Sequence, residues 1–309
     1  MLHGFGTVAG TPMDAGAGTP MDAGGTARRV TRSARDAVAR VPGAERSVAP
    51  AVARAVAILE LLAENVAVPL GLSEIARRLD IPKSSVANLC ATLVDSGLLF
   101  RRDGAFSLGR KLAELGGAYL ASADEVREFR DACRSLTTAA EETVQLAVLD
   151  QMEVIYLARH EGRQYIRLAS EIGRRLPASC TAAGKVALAT LSPADLADRL
   201  HGLASLPVLT THSLRSRSEL LADLETTRRR GYAIDDEETA DGVVCFAVTV
   251  PGRYAELGPA ASPWAVSVAL LKARARDDRR EQLVLDLQEL SRRLAPLGRE
   301  MFGSAPDWR

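Results

Sequence analysis

Three closely spaced amphipathic segments in the first third of the chain constrain its fold more than any other feature. Residues 50–65 predict the first helix, because their apolar residues recur at helical spacing. Those residues are Val52, Ala55, Val56, Leu59 and Leu62. Residues 72–79 predict a second helix by the same spacing, and Ser73 at its start could cap free amides. A third segment has one apolar face over 86–94 and stops at Gly97, a residue type typical of helix ends.

A short hairpin follows the third helical segment. Its two apolar runs, 98–100 and 105–108, flank the pair Asp103-Gly104, which favours a tight two-residue turn between antiparallel strands. Two short helices, a turn, a third helix with a polar outer face and a hairpin together predict a winged helix-turn-helix, whose third helix enters the major groove of DNA. The predicted DNA-contacting residues are Ser73, Lys83, Ser84, Ser85, Ala87, Asn88, Thr92, Arg101 and Arg102.

These residues suit two kinds of contact with DNA. The third helix offers small or hydrogen-bonding side chains, which fit a major groove, whereas Arg101 and Arg102 on the hairpin would meet phosphates and position the protein without reading sequence. Any packed three-helix unit has a polar outer face, so the helical pattern alone does not establish DNA binding. The turn, the glycine and the hairpin favour it together.

The distribution of charge agrees with this prediction. The formal net charge is zero, but residues 1–111 carry 14 Lys and Arg against 10 Asp and Glu, and the rest of the chain has the opposite excess. A basic half that coincides with a DNA-binding pattern supports a nucleic-acid partner, although an asymmetry of this size does not decide the question alone.

The first 46 residues have no apolar period. They carry the stretch AGTPMDAG twice in tandem, at 9–16 and 17–24, and are rich in Gly, Ala, Thr and Arg. This composition predicts a disordered basic tail. Its arginines between residues 28 and 40 would either touch DNA as an arm or stay solvated, and the sequence leaves both possibilities open.

The second half of the chain mixes helical and strand-like stretches without a strict strand–helix–strand repeat. A helix is predicted at about 125–142 and a leucine-rich helix near the end of the chain. This mixture predicts an α/β (α+β) domain with a largely antiparallel sheet. The predicted strands are 143–149, 154–158, 165–169, 232–234, 243–250 and 265–270, and the remaining helices are 182–191, 193–201 and 216–230.

One segment of this domain has the chemistry of a ligand site. Residues 176–185, LPASCTAAGK, place small side chains at the start of an apolar helix. A helix N-terminus presents unpaired amides with a partial positive charge, and small side chains let a ligand approach them. The segment therefore predicts a site for a carboxylate or another small anion, with an ordinary capped helix buried against the sheet as the alternative.

Several stretches resemble one known family. SVAPAVARAVAILELLAENVAVPLGLSEIARRLDIPKSSVANLCATLVDSGLL resembles the DNA-binding domain of the isocitrate lyase regulator (IclR) family, and AEETVQLAVLD, GRRLPASCTAAGKVALA and RRRGYAIDDEETADGVVCFAVTV resemble its effector domain in order and spacing. The resemblance covers residues 47–300. It implies a transcriptional regulator with a winged helix-turn-helix at 47–108, a linker helix at 109–123, a GAF-like effector domain at 124–302 and a tail at 303–309.

The resemblance also implies partners and site residues. It implies a double-stranded DNA operator, a small-molecule effector, most simply an organic acid, and a homodimer that can pair into a dimer of dimers. The implied effector-binding residues are Leu168, Leu176, Ala182, Ala183, Asp235, Val243, Cys245 and Ser267. The chain departs from the family pattern at Ala87-Asn88, Ser179 and Val244, and Ala269 stands where a second hydroxyl is possible.

Other classes of protein fit less well. No apolar run approaches the roughly 20 residues that span a bilayer, and the N-terminus lacks a signal-peptide core, so we expect a cytoplasmic protein. We expect no cofactor, no metal site and no enzymatic activity, because catalytic motifs are missing and the run at 235–238 is more typical of a solvated turn. The alternative function is a regulator without a small-molecule ligand, switched by a protein partner or by oxidation of a cysteine.

Overall fold

A computed structural model describes residues 48–136, 141–163, 170–250 and 264–295. The predicted N-terminal tail, the strand at 165–169, Leu168 and the tail at 303–309 lie outside these residues. The chain divides into two compact units after Glu114.

The first unit is a three-helix winged helix-turn-helix, as the sequence predicts. The predicted hairpin at 98–108 is the wing of this unit. Its turn has Asp103 at φ 52° and Gly104 at φ 78°, the left-handed pair that a tight hairpin turn requires. The three strands form an antiparallel sheet in the order β1-β3-β2. The elements are α1 (Pro50–Glu64), β1 (Leu70–Gly71), α2 (Leu72–Leu79), α3 (Lys83–Asp95), β2 (Leu99–Arg102) and β3 (Ala105–Leu108).

Two details of this unit differ from the sequence prediction. Helix α1 buries Ala57, Ile58, Leu61 and Leu62, whereas Val52 stays exposed, because apolar residues occupy both faces of the helix and periodicity cannot choose between them. Ser73 does not cap α2. The helix spans the predicted residues 72–79, but its N-cap is Gly71, because the pairing of β1 with β3 fixes where the helix starts.

Helix α4 (Lys111–Ser122) follows the wing and spans the division between the units. None of its residues is buried, and the side chains of Leu115 and Tyr119 are each 53% exposed. The helix therefore presents apolar surface to solvent in the single chain.

The second unit is built on one six-stranded sheet. Its strands run in the order β6-β5-β4-β9-β8-β7, and every neighbouring pair is antiparallel, which confirms the predicted sheet type. The strands are β4 (Thr143–Asp150), β5 (Glu153–His160), β6 (Arg175–Pro177), β7 (Ala233–Asp236), β8 (Val243–Thr249) and β9 (Trp264–Leu271). The helices are α5 (Asp124–Cys133), α6 (Ala182–Ala189), α7 (Pro193–Leu200), α8 (Arg217–Arg230) and α9 (Asp277–Leu294).

Helices cover both faces of this sheet. Leucines and valines of α5, α9 and the sheet make one apolar cluster, and α6, α7 and α8 make another on the opposite face. Helix α5 ends at Cys133 rather than at the predicted residue 142. Across the described ranges no helix is long and apolar enough to cross a membrane.

Candidate functional site

Helix α3 presents a polar face away from its core. Val86, Cys90 and Leu93 are buried against the other helices, and a helix turns about 100° per residue, so Ser84 and Asn88 lie on the opposite side. Lys83, Ser84, Asn88 and Thr92 are exposed, whereas Ser85 and Ala87 are half-buried. The predicted recognition residues therefore share one surface.

The wing places two guanidinium groups on β2. Arg101 stands over the ring of Phe106 at 5.6 Å, which holds its long side chain, and Arg102 lies 3.6 Å from the Asp103 carboxylate. Both arginines are exposed, so their charges are available to phosphates. Ser73 is exposed in the first turn of α2.

The second unit contains the predicted ligand site at the start of α6. Thr181 is the N-cap of the helix, and its hydroxyl accepts a hydrogen bond from the Gly184 amide at 3.0 Å. The amides of Ala182 and Ala183 precede the first intrahelical bond and are left for another partner. All eight residues of α6 are buried, so these amides point into a water-poor region of the protein.

Gly184 lets α6 approach the backbone of Ala178 closely. A Cβ atom at this position would stand 2.3 Å from the Ala178 Cα atom and 2.4 Å from the Ala178 carbonyl oxygen. Only hydrogen fits in that space, so the helix packs directly on the backbone of the segment that precedes it.

The sheet beneath α6 forms a floor of small and polar side chains, which we call the polar floor. Its residues alternate along the strands with the valines and leucines of the opposite face, and the strand register aligns them in two rows. One row runs Asp235, Cys245, Ala269, Thr143 across β7, β8, β9 and β4, and the other runs Ala233, Ala247, Ser267, Gln145.

Two hydroxyls of the polar floor lack partners in the described part of the chain. Thr143 is 1% exposed and its Oγ1 atom has no hydrogen bond, and Ser267 is 3% exposed with none to a described residue. The Nε2 atom of Gln145 does have partners, since it donates to Ser170 Oγ at 2.6 Å and to the Ser170 carbonyl at 3.1 Å. Buried polar groups are rarely left unpaired, so these hydroxyls indicate a place for a polar ligand.

Burial suppresses ionisation at the edge of the polar floor. It raises the pKa of the Tyr156 hydroxyl and of the Cys245 thiol well above their ordinary values, and the nearby carboxylate of Asp235 raises both further. Burial also raises the pKa of Asp235. The Asp235 carboxylate caps its own turn, because Oδ1 accepts from the amides of Glu238 at 2.8 Å and Thr239 at 3.1 Å.

A charged cluster lies between α6, α8 and this turn. Lys185 is 1% exposed, and its Nζ atom forms an ion pair with Glu238 and stands 3.4 Å from the Asp223 carboxylate. Burial raises the pKa of Glu238 to about 7. The carboxylate run at 235–238 is therefore only in part the solvated turn that the sequence favours. Asp235 and Glu238 are buried, where they cap the turn and pair with Lys185, whereas Asp236 is exposed and pairs with Lys272.

The structure brings most of the predicted effector residues into one layer. Ala182, Ala183 and Leu176 belong to the apolar cluster under α6, and Asp235, Cys245 and Ser267 belong to the polar floor. Val243 packs instead in the cluster of α5 and α9, and Leu168 lies outside the described residues.

Sequence reasoning missed Thr143, Gln145, Tyr156 and the Lys185–Glu238 pair. Polar residues at every second position of Thr143-Val144-Gln145-Leu146 are a signal for the first two, because alternate residues of a strand share a face. The ion pair joins residues 53 positions apart and has no local signal.

A winged helix-turn-helix joined to a separate α/β unit defines the class of this protein as a two-unit DNA-binding protein. The family models agree: residues 51–103 match the IclR helix-turn-helix domain, and residues 117–295 match the C-terminal domain of the bacterial transcriptional regulator IclR. The chain belongs to the IclR family of DNA-binding transcriptional regulators.

Individual relatives agree with this assignment. The chain is 36% identical over 201 residues to the HTH-type transcriptional regulator XynR of Escherichia coli K12, covering 64% of this chain and 79% of the relative. The crystal structure of Thermotoga maritima IclR is 26% identical, with a TM-score of 0.60 over 79% of this chain and 96% of that one. An IclR homologue from Microbacterium hydrocarbonoxydans, solved in complex with 4-hydroxybenzoate, shares the fold at 24% identity, with a TM-score of 0.63 over 79% and 97% of the two chains.

Proposed function

We propose that a small organic acid, bound between α6 and the polar floor, controls the affinity of this regulator for its operator. The observation that carries the proposal is the unpaired hydroxyl of Thr143, with that of Ser267 buried on the adjacent strand, on the face of the sheet that α6 covers. Hydroxyls and helix amides both donate hydrogen bonds, and donors converging from two sides fit a carboxylate.

The proposal assigns the two units separate roles. Residues 47–108 bind DNA, 109–123 link the units, and 124–302 bind the effector. A ligand shifts an equilibrium between two states only by its differential affinity for them, so the acid must bind one arrangement of the dimer better than the other. Lys185 offers no free charge to the acid, because Glu238 and Asp223 already surround its ammonium group.

Switching by cysteine oxidation is the weaker alternative. Burial raises the pKa of Cys90 to about 11 and of Cys133 to about 12, and it raises those of Cys180 and Cys245 as well. A thiol oxidises readily as the thiolate, so these groups are poor sensors at neutral pH.

The test removes the two hydroxyls of the polar floor. In calorimetric titrations with a panel of aliphatic and aromatic monocarboxylic acids, we expect wild-type protein to bind at least one acid and not its uncharged amide. Thr143→Val and Ser267→Ala should each weaken that binding about threefold to twelvefold, the value of one hydrogen bond. DNA binding without acid should stay unchanged, since the substitutions lie in the other unit.

Thr227→Val is the matched control for this test. Thr227 is also a buried threonine with an unpaired Oγ1 atom, but it lies on α8 and not on the polar floor. Its substitution should leave acid binding unchanged. Equal losses in all three variants, or no binding of any acid by the wild type, would refute the assignment of the site.

We also propose that the regulator is a homodimer, with a dimer of dimers as the next assembly. The exposed apolar residues Leu115 and Tyr119 on α4 support this, because a second copy would remove them from water.

We expect Leu115→Glu to raise the dimer dissociation constant about tenfold or more in sedimentation experiments, since a charge would be buried. Val66→Glu, at a residue 75% exposed outside α4, serves as control. A wild-type monomer at micromolar concentration would contradict the proposal.

A further inference from the structure

Asn88 stands at the centre of the outer face of α3. It is exposed, and its side-chain amide makes no hydrogen bond within the described ranges, while its backbone carbonyl accepts from the Thr92 hydroxyl at 3.1 Å. The amide therefore has both a donor and an acceptor available for another molecule.

A hollow of about 360 Å³ lies between α3 and the wing; Asn88 is not among the residues that line it, but its neighbour Ala87 is. Ala87 and Ala91 open onto it from α3, Phe106 from β3, and Arg101 lines it from β2. Its walls are mainly apolar, and the guanidinium group is held over the Phe106 ring. The hollow also has one carboxylate, that of Asp95, opposite the Arg101 cation. Ala87 precedes Asn88 and Ala91 lies one helical turn after it, so apolar surface and a free amide follow each other along α3, which matches the edge of a base pair.

The side chains of α3 restrict which base pair can be read. Guanine is most often recognised by Arg or Lys, cytosine by a carboxylate, adenine by Asn or Gln through its N6 and N7 atoms, and thymine by apolar contact with its methyl group. Helix α3 contains no arginine, and its single lysine, Lys83, is its first residue. Its single carboxylate, Asp95, is its last, where its charge would repel phosphates.

We infer that this regulator recognises one A·T base pair, and the methyl group of a thymine next to it, in each half-site of its operator. Asn88 forms a bidentate pair with the adenine, and the hollow at Ala87 and Ala91 receives the 5-methyl group of a neighbouring thymine. This assignment rests on α3 being the recognition helix of the family, and it names the bases that α3 distinguishes.

Selection of binding sites from random duplex DNA tests the adenine contact. Wild-type protein should select a half-site with one near-invariant A·T pair. Asn88→Ala should lose preference at that pair alone and lower affinity for the selected site about 5- to 100-fold per half-site. Lys83→Ala, the matched control on the same helix, should weaken binding to all sequences alike and reduce its salt dependence. Circular dichroism melting checks that both variants are folded.

Base analogues in the selected site test the same contacts without changing the protein. Replacing the invariant adenine by 7-deazaadenine removes the N7 acceptor and should weaken wild-type binding but not that of Asn88→Ala. Replacing the neighbouring thymine by uracil removes only the methyl group and should cost about fourfold. Ala91→Ser should reduce that cost.

The outcomes separate this inference from the function of the protein. If the wild type selects a site and Asn88→Ala selects the same base at every position, or if the pair contacted is G·C, the inference is wrong while DNA binding stands. If the wild type binds no DNA sequence selectively, the assignment of α3 as recognition helix fails as well.

Discussion

Lys185→Met is expected to lower the free energy of unfolding of the second unit by about 3–5 kcal/mol. Lys185 is 1% exposed, and its ammonium group is shared by the carboxylates of Glu238 and Asp223. Methionine fills a similar volume but leaves the buried Glu238 carboxylate, and the partly exposed carboxylate of Asp223 beside it, without a counter-charge. The loss therefore measures unpaired buried charge and not a cavity.

Urea unfolding of the full chain measures this loss. Trp264 on β9 packs against the cluster of α5 and α9, so its fluorescence reports on the second unit. Arg127→Met on α5 of the second unit is the control: its ion pair with Asp124 is also short, 2.6 Å, but the side chains are 65% and 40% exposed. An exposed pair contributes at most about 1 kcal/mol, so this variant should unfold nearly as the wild type does.

A double substitution identifies the source of the effect. Glu238→Gln in the Lys185→Met background replaces one unpaired carboxylate by a neutral amide, so the double variant should lose less stability than the sum of the single losses. Additive losses, or a loss below about 1 kcal/mol for Lys185→Met, would show that the ion pair does not hold α6 to the turn after β7.

Gly184→Ala is expected to cost about 3 kcal/mol or to prevent folding of the second unit. The new Cβ atom would lie 2.3 Å from the Ala178 Cα atom, a distance that no rotation of a side chain can relieve. Either α6 or the segment before it must move, so the packing of α6 on the sheet must change as well. Partly folded variants should therefore also lose acid binding.

Two controls isolate the steric cause. Gly117→Ala in α4 places a Cβ atom with no atom within 4 Å, so it should stabilise the helix by about 0.5–1 kcal/mol. Ala178→Gly should not rescue Gly184→Ala, because the obstructing atoms belong to the backbone. Wild-type stability of Gly184→Ala, or rescue by Ala178→Gly, would contradict the packing of α6 described above.

The winged helix-turn-helix follows from the sequence because its determinants are local. The turn Asp103-Gly104 needs a left-handed pair, and those two residue types supply it at low cost. The spacing of Val86, Cys90 and Leu93 likewise fixes which face of α3 is free. Such signals lie within one turn or one helix, so the local sequence determines these elements without any long-range contact. The resemblance to the IclR family adds the order of the domains.

Other features depend on contacts that periodicity does not encode. Apolar residues on both faces of α1 left open which face is buried, and packing against α2 and α3 chose Ile58 and Leu61 over Val52. The polar floor exists because Gln145 pairs with Ser267 across two strands far apart in the chain. The Lys185–Glu238 pair likewise buries the last carboxylate of an acidic run that the sequence predicts to be solvated. The sequence by itself thus determined the local elements, and the tertiary structure decided which side chains meet, since strand register and helix docking are properties of the whole folded chain.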